Sequence, residues 1–342
     1  MTIDETKQKL QSHLTDGLVT IVGSGLSCAE GLPSMSDLAN HLISEMPRRL
    51  KGNGQWNSIA ENLKAGDGLE LALSKEIISD GSDLLREITS LTSEYVAENE
   101  LRVFRDVIEG GRELRFGKLL PFLSASQSAP LQVITTNYDR LIEFTAELKG
   151  WGVDSMFLGQ IIGSLDPTGS RLSFVKALIN RKPERLVYRK RLCIAKPHGS
   201  LDWFKHVSGP VRSQMQIGSP LVITPGTSKY RRGYEIPFDA HRNKANEFID
   251  NASRFLIIGY GFNDDHLEIH LRQQLQAGKP CVIISRELTS AAETLVTTQA
   301  NILAVTSAES GGFCITTASG KINFPGPDIS DISTFVTEVL EP

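Results

Sequence analysis

The sequence predicts an α/β chain built on a doubly wound parallel sheet with a helical insertion, and three observations carry that prediction. Short runs such as Leu18–Val22, residues 192–195, residues 255–258 and Cys281–Ile284 are apolar but for Thr20, as strands covered on both faces are. Stretches with apolar residues at helical spacing separate them, and strand–helix–strand alternation is the pattern of a parallel sheet flanked by helices. Each run breaks into glycine or polar residues at its carboxyl end, where α/β sheets gather ligand contacts.

In chain order, residues 4–14 read as a short helix with Leu10 and Leu14 on one face. Leu18–Val22 is the first strand, and Gly23, Ser24 and Gly25 end it. A glycine pair after a strand allows a tight turn and brings backbone N–H groups close to a phosphate. Ser34 or Ser36 caps a helix that runs through Met46 and is ended by Pro47, and residues 48–54 are loop. From Trp56 to about Ser124 the spacing of Ile59, Leu63, Leu69, Leu73, Ile77, Leu84, Ile88 and Leu91 is helical. Lying between the first two strands, this block, 56–124, reads as an insertion or lid within a single domain spanning 1–342. Residues 133–135 are the next strand; Asn137 ends it and Asp139 opens a helix to Leu148. Residues 150–169 are glycine-punctuated and hairpin-like. The strand at 192–195 breaks at Pro197 and is followed by His198, Gly199 and Ser200. Residues 208–239, rich in glycine and proline, read as a long loop with one short strand at 221–226. A helix ending with residues 245–251 precedes the strand at 255–258 and its loop Gly259-Tyr260-Gly261. A helix from about Asp264 to Gln276 leads to Cys281–Ile284, which exits at Ser285, and residues 329–340 close the chain as a helix.

With 342 residues the chain can bury a sizeable core. A net charge of −4 argues against a whole-surface nucleic-acid binder. It leaves the basic run 181–191 (Arg181, Lys182, Arg185, Arg189, Lys190, Arg191) as a solvated face or a local partner contact. Cys28, Cys193, Cys281 and Cys314 stand far apart with no Cys-x-x-Cys pair. That suits reduced, buried thiols better than disulfides or a zinc site. The first ten residues are polar and no apolar run reaches 18 residues, so neither a signal peptide nor a membrane span is expected. The expectation is a cytoplasmic protein.

Each exit taken alone has two readings. Gly23 and Gly25 serve either a phosphate or the steric needs of a strand-to-helix turn, and the third glycine of the dinucleotide fingerprint is replaced by Cys28. Asn137 and Asp139 are either ligand contacts or a helix cap. His198 is either a chemical group at a strand exit or a core histidine with its hydrogen bonds satisfied.

Their order is more specific. Gly23-Ser-Gly-Leu-Ser27 with Gly31-Leu-Pro33, then Thr135-Thr-Asn-Tyr-Asp139, His198-Gly-Ser200, Ile258-Gly-Tyr-Gly261 and Ile284-Ser-Arg-Glu287 resemble the sirtuin superfamily from about residue 18 to about residue 290. The chain looks closest to the bacterial sirtuin-like branch that lacks the zinc module. The resemblance implies a Rossmann-like fold, NAD as substrate and no metal. It implies that Gly23, Ser24, Gly25 and Ser27 form the phosphate-binding loop and that Pro33 belongs to the flexible cofactor loop. Thr136, Asn137 and Asp139 match the segment that holds the nicotinamide end, the asparagine orienting the ribose and a water, the aspartate meeting the carboxamide. His198 matches the histidine that accepts a proton from a ribose hydroxyl. Gly259, Tyr260 and Gly261 match the second glycine loop, near the adenine-side ribose and phosphate. Ser285 stands where many sirtuins have an asparagine facing the adenosine.

Two departures bear on activity. Deacylating sirtuins carry paired-cysteine zinc knuckles after the histidine, and this chain has no cysteine between His198 and Ile258. They also carry Phe-Arg where this chain has Ser34-Met35. An acyl-lysine channel is therefore not expected; the apparatus for breaking the nicotinamide–ribose bond is. The expectation is an NAD hydrolase that gives nicotinamide and ADP-ribose. Cation character builds on the ribose as the bond breaks, Asn137 positions water, and His198 serves as base. In bacterial proteins of this kind NAD cleavage commonly serves anti-phage defence by depleting NAD. The resemblance alone implies a homo-oligomer or a regulatory partner such as a DNA-translocase ATPase or an Argonaute-like protein. Two other functions stay open: an NAD-dependent deacylase or ADP-ribosyltransferase, and a non-catalytic NAD or ADP-ribose sensor, which needs neither Asn137 nor His198.

Overall fold

The computed structural model describes residues 2–123, 129–179, 185–226, 235–262 and 264–341. Arg181 and Lys182 of the basic run lie outside the described residues. The strands are β1 Leu18–Val22, β2 Leu131–Thr135, β3 Gly152–Asp154, β4 Phe157–Leu158, β5 Ile162–Leu165, β6 Val175–Ile179, β7 Arg185–Tyr188, β8 Arg191–Ala195, β9 Trp203–His206, β10 Gly209–Ser213, β11 Arg254–Ile258, β12 Cys281–Ile284, β13 Ile302–Ser307, β14 Phe313–Thr317 and β15 Gly320–Phe324. Nine of them make one sheet in the order β15-β14-β13-β12-β11-β1-β2-β8-β3. Pairing is parallel from β13 to β3, and β14 and β15 add an antiparallel edge.

Side-chain alternation divides the sheet's apolar residues between two layers. Leu18 and Val22 of β1, with Leu256 and Ile258 of β11, pack into one cluster with Leu10, Phe116, Ile142 and Phe335. Val19 and Ile21, with Phe255 and Ile257, join the other, under Phe248, Leu271 and Leu295. Helices Ile3–His13, Arg115–Leu119, Leu141–Leu148 and Ile332–Phe335 thus cover one face, and Phe238–Asn251, Asp265–Gln276 and Ser290–Thr298 the other. Each fully buried aliphatic side chain contributes about 1.5–3 kcal/mol, and a one-residue slip would invert both layers. The register Val22↔Ile258, Val22↔Thr135 and Ile134↔Ala195 therefore fixes the exits of β11, β1, β2 and β8 side by side.

Residues between β1 and β2 are helical, in Met35–Arg49, Gly54–Lys64, Leu69–Ser74, Asp83–Ile108 and Arg115–Leu119. They build their own core from Leu42, Met46, Trp56, Ile59, Leu73, Ile88 and Leu91. Ser34 caps the first of these helices in a reciprocal box with Asp37. Pro47 does not end that helix, which continues to Arg49. The proline sits in the last turn, where it forfeits a single N–H, and the Leu50 amide still closes onto Met46 O at 2.8 Å.

Among the described residues of 208–239 the one strand is β10 at Gly209–Ser213, not at 221–226, and residues 214–226 are otherwise irregular, as a long loop is. β9 and β10 form an antiparallel hairpin that joins β4 and β5 in a second, four-stranded sheet. Val222 makes only an isolated bridge to Gly199. Residues 229–232 lie outside the described residues. The helix Ser290–Thr298 and strands β13 to β15 fill residues 290–324, which sequence reading left unassigned. No described helix is long and apolar enough to cross a membrane.

Candidate active site

A cleft of about 240 Å³ opens where the exits of β1, β2, β8 and β11 converge. β1 continues into the short helix Ser24–Ala29, whose Ser24 and Ser27 line the cleft. Thr136, Asn137 and Asp139 follow β2, His198 follows β8, and Tyr260 and Gly261 follow β11. Glu70 and Val96 of the helical block, with Met35 and Leu38 of the helix before it, also line the cleft.

The glycines hold the two glycine loops against each other. A Cβ on Gly25 would lie 2.8 Å from Gly259 Cα, and one on Gly23 2.5 Å from Tyr260 Cα. Gly259 itself adopts φ +56°, in the left-handed region. The Gly23 and Gly25 amides donate to Ile258 O at 2.9 Å and Gly259 O at 3.0 Å. Both N–H groups are thus committed to the neighbouring strand exit, and the steric account describes these two residues.

One polar network ties the β1 loop to the β2 loop. Asn137 Nδ2 donates to Gly23 O at 2.9 Å and to Ser27 Oγ at 2.8 Å, and Ser27 Oγ donates to Asp139 Oδ2 at 2.7 Å. Asp139 Oδ1 accepts from the Leu141 amide at 3.2 Å, so this buried carboxylate also serves the start of helix Leu141–Leu148. Asn137 Oδ1 accepts no hydrogen bond from the described residues. The side chain therefore presents an acceptor while its donors are anchored.

His198 is held from two directions. Its carbonyl accepts the Ile223 amide at 2.9 Å. The next residue, Gly199, adopts φ +90°, which no side chain beside Leu221 O would permit. The imidazole Nε2 contacts Asp264 Oδ2, and both side chains are nearly buried. Asp264 is fixed in turn at the head of helix Asp265–Gln276. Its Oδ1 accepts the Leu267 amide at 3.3 Å, its own amide donates to Glu268 Oε1 at 2.8 Å, and Arg272 pairs with Glu268.

Behind the β2 loop lies a buried ion pair. Lys196 Nζ donates to Asp139 O and, at 2.9 Å, to Glu143 Oε1. The Lys196 amide donates to His241 Nδ1 at 3.1 Å. Burial, with Lys196 adding to it, holds His241 down to about 3, so it stays neutral. Tyr138 donates its hydroxyl to Ile223 O, and burial pushes its phenol above the ordinary range. Burial likewise pushes the Cys28 thiol up, which disfavours a thiolate beside the cleft. Among the described residues no cluster of histidine, cysteine, aspartate or glutamate side chains is arranged to hold a metal.

Of the residues singled out from sequence, Ser24, Ser27, Pro33, Thr136, Asn137, Asp139, His198, Tyr260 and Gly261 line the cleft together. Gly23, Gly25 and Gly259 lie in its floor loops without lining it, and Ser285 is at the adjacent β12 exit, where its amide donates to Val305 O at 3.1 Å. Sequence reading did not assign Asp264 or Glu70. Asp264 carried a signal as an acid at a helix start after a glycine loop; Glu70, in a motif-free helix, carried none.

A profile described as a SIR2-like domain matches residues 131–301. No curated protein gave a significant match. Among solved structures, the chain is similar to a Sir2 mutant with a p53 peptide and NAD, at 12% identity and a TM-score of 0.43, covering 100% of this chain and 98% of that one. It is similar to Sir2Tm bound to a propionylated peptide, at 12% identity and a TM-score of 0.41, over 85% of this chain and 89% of that one. A sirtuin studied for the structural basis of its substrate affinity aligns at 12% identity with a TM-score of 0.40, over 85% and 90%.

Proposed function

Because the chain belongs to the SIR2-like domain family, we propose that it is an NAD hydrolase, cleaving the bond between nicotinamide and ribose with water as acceptor. Family membership supports an NAD-related, sirtuin-type function. One observation carries the finer reading: an anchored Asn137 with a spare acceptor and a carboxylate-held His198 face the same small cleft.

In this mechanism the ribose–nicotinamide bond breaks with its electron pair passing to the ring nitrogen, which neutralises the pyridinium. A water oxygen bonds to C1′ and loses a proton. Asn137 Oδ1 orients that water or a ribose hydroxyl, since its Nδ2 is already spent on Gly23 O and Ser27 Oγ. With Nε2 turned to Asp264 Oδ2, Nδ1 is the His198 nitrogen left to act as base. Positioned acid–base groups of this kind contribute about 10²–10⁴-fold. Asp139 lines the same cleft with acceptor capacity beyond Ser27 and Leu141, which supports its assignment to the carboxamide. Val96 of the helical block, with Met35 and Leu38 of the preceding helix, would serve as the lid that keeps bulk water from the reaction.

The test incubates the purified full chain with NAD and follows nicotinamide and ADP-ribose by chromatography. Both products are expected, with at least 10²-fold loss in Asn137→Ala and in His198→Ala. Deacylation of an acyl-lysine peptide without release of free ADP-ribose would overturn the reading, and so would calorimetric NAD binding with no turnover. NAD depletion in anti-phage defence, with a homo-oligomer or a regulatory partner, is the physiological form of this proposal. Its check is NAD content and growth of phage-infected cells carrying the wild type or His198→Ala.

A further inference from the structure

A buried carboxylate of the helical block reaches the proposed catalytic loop. Glu100, on helix Asp83–Ile108, is fully buried. Its Oε1 accepts the backbone amide of Arg140 at 2.5 Å, and both oxygens receive the Arg140 guanidinium, Nε at 3.2 and 3.1 Å. Arg140 stands at the N-cap of helix Leu141–Leu148 and supplies no side-chain cap of its own. A carboxylate from another helix thus meets an amide of the chain entering that helix, whose start favours negative charge. The same helix seats Val103 and Val107 against Leu32 of the β1 loop and Leu141. Val96, one turn before Glu100 and on the same face, lines the cleft.

The bonds continue toward the chemistry. Arg140 directly follows Asp139; Asp139 holds Ser27, and Ser27 holds Asn137. On the opposite side Lys196 grips the Asp139 carbonyl. Residues 137–140 are therefore fixed between two buried ions, one from the sheet and one from the helical block. We infer that Glu100 is a positioning residue for Asn137, acting through Arg140, so that the helical block sets the geometry of the site as well as covering it. A shift of helix Asp83–Ile108 by any bound partner would then be read out as a change in turnover. This rests on the proposed NAD cleavage for its kinetic form, but not for its structural form.

The experiment compares the full-length wild type with Glu100→Gln, Glu100→Ala and Val103→Ala. Val103→Ala loosens the same helix without touching Arg140, and Glu100→Gln keeps an acceptor for the Arg140 amide. Glu100→Ala is expected to lower kcat per folded molecule at least tenfold with KM for NAD within threefold, Glu100→Gln to recover part of that loss, and Val103→Ala to lower the melting temperature with kcat unchanged. Amide hydrogen exchange over residues 137–141 should quicken at least tenfold in Glu100→Ala, and not in Val103→Ala. The exchange readout stands even for a chain that cleaves no NAD, so failure of the functional reading and failure of the positioning role are separable. Wild-type exchange at 137–141 and wild-type kcat in folded Glu100→Gln, or equal effects of Glu100→Ala and Val103→Ala, would overturn the inference. Should Glu100→Ala not fold, Glu100→Gln and Val103→Ala decide it.

Discussion

Replacing Lys196 with methionine should destabilise the fold by about 3–5 kcal/mol. The Lys196 side chain is 1% exposed and that of Glu143 7%. Methionine follows the lysine stem and fills most of its space, so the packing loss is small. What changes is electrostatic. Glu143 keeps a buried carboxylate whose Oε2 already accepts no hydrogen bond, and it loses the ammonium at Oε1. The Asp139 carbonyl loses its Nζ donor, a deficit that by itself costs about 1–3 kcal/mol when buried. Guanidinium denaturation followed by circular dichroism measures the change, with a constant slope confirming that the midpoint shift is stability. A second variant carries the discriminating power. Lys196→Met with Glu143→Leu removes the stranded charge and should regain at least 2 kcal/mol, because apolar replacement of both partners of a buried pair is near neutral. A Lys196→Met protein within 1 kcal/mol of wild type, or a double variant no better than the single, would refute the ion-pair reasoning.

Three further outcomes follow from the same geometry. Asp264→Asn removes the charge facing His198 Nε2 and should lower NAD turnover about 10²-fold with KM within threefold, read by steady-state kinetics. Burial holds His13 down to about 4 and His241 down to about 3, both below the unfolded value of about 6.5. The unfolded chain therefore binds protons that the native chain refuses, so stability is full above about pH 6.5 and falls as pH drops toward 4. His13→Gln, which keeps a donor for Phe255 O, should flatten that slope in denaturation series at pH 7 and 5; an unchanged slope would count against the assignment. Gly25→Ala should cost about 2 kcal/mol or more, since its Cβ meets Gly259 Cα, while Gly54→Ala, with open space around it, should stay within about 1 kcal/mol in the same denaturation assay.

Sequence made β1, β2, β8, β11 and β12 legible because their runs are largely apolar, and it made their exits legible because glycine and polar residues interrupt those runs. Asn137, Ser27, Tyr260 and His198 were found that way, each at the end of an apolar run. Pairs formed across space left no such trace. Glu100 and Arg140 are 40 residues apart and Lys196 and Glu143 are 53 apart, and in each case helical or strand periodicity speaks only for its own element. Glu100 in particular sits in a long polar-rich helix where an acid reads as solvent-facing, yet it is fully buried. The hairpin of β9 and β10 was hidden by its glycine and proline, which punctuate a tight antiparallel turn as readily as a long loop.

The two readings of the first glycine loop turn out to be one argument at different scales. Gly23 and Gly25 give their amides to Ile258 and Gly259, so their value lies in how near they let the β11 loop come. That nearness has a chemical consequence. The carbonyl of Gly23 is one of the two acceptors that anchor Asn137, and the other, Ser27 Oγ, lies one helical turn further along the same segment. A side chain at either glycine would force the β1 and β11 exits apart by tenths of an ångström or more. Asn137 could not then keep both bonds at 2.8 and 2.9 Å. The spacing of two backbones thus becomes the orientation of one amide. A steric requirement in the strand-to-helix turn sets the acceptor that the proposed reaction needs, with the Gly23 and Gly25 N–H groups spent on the neighbouring strand exit.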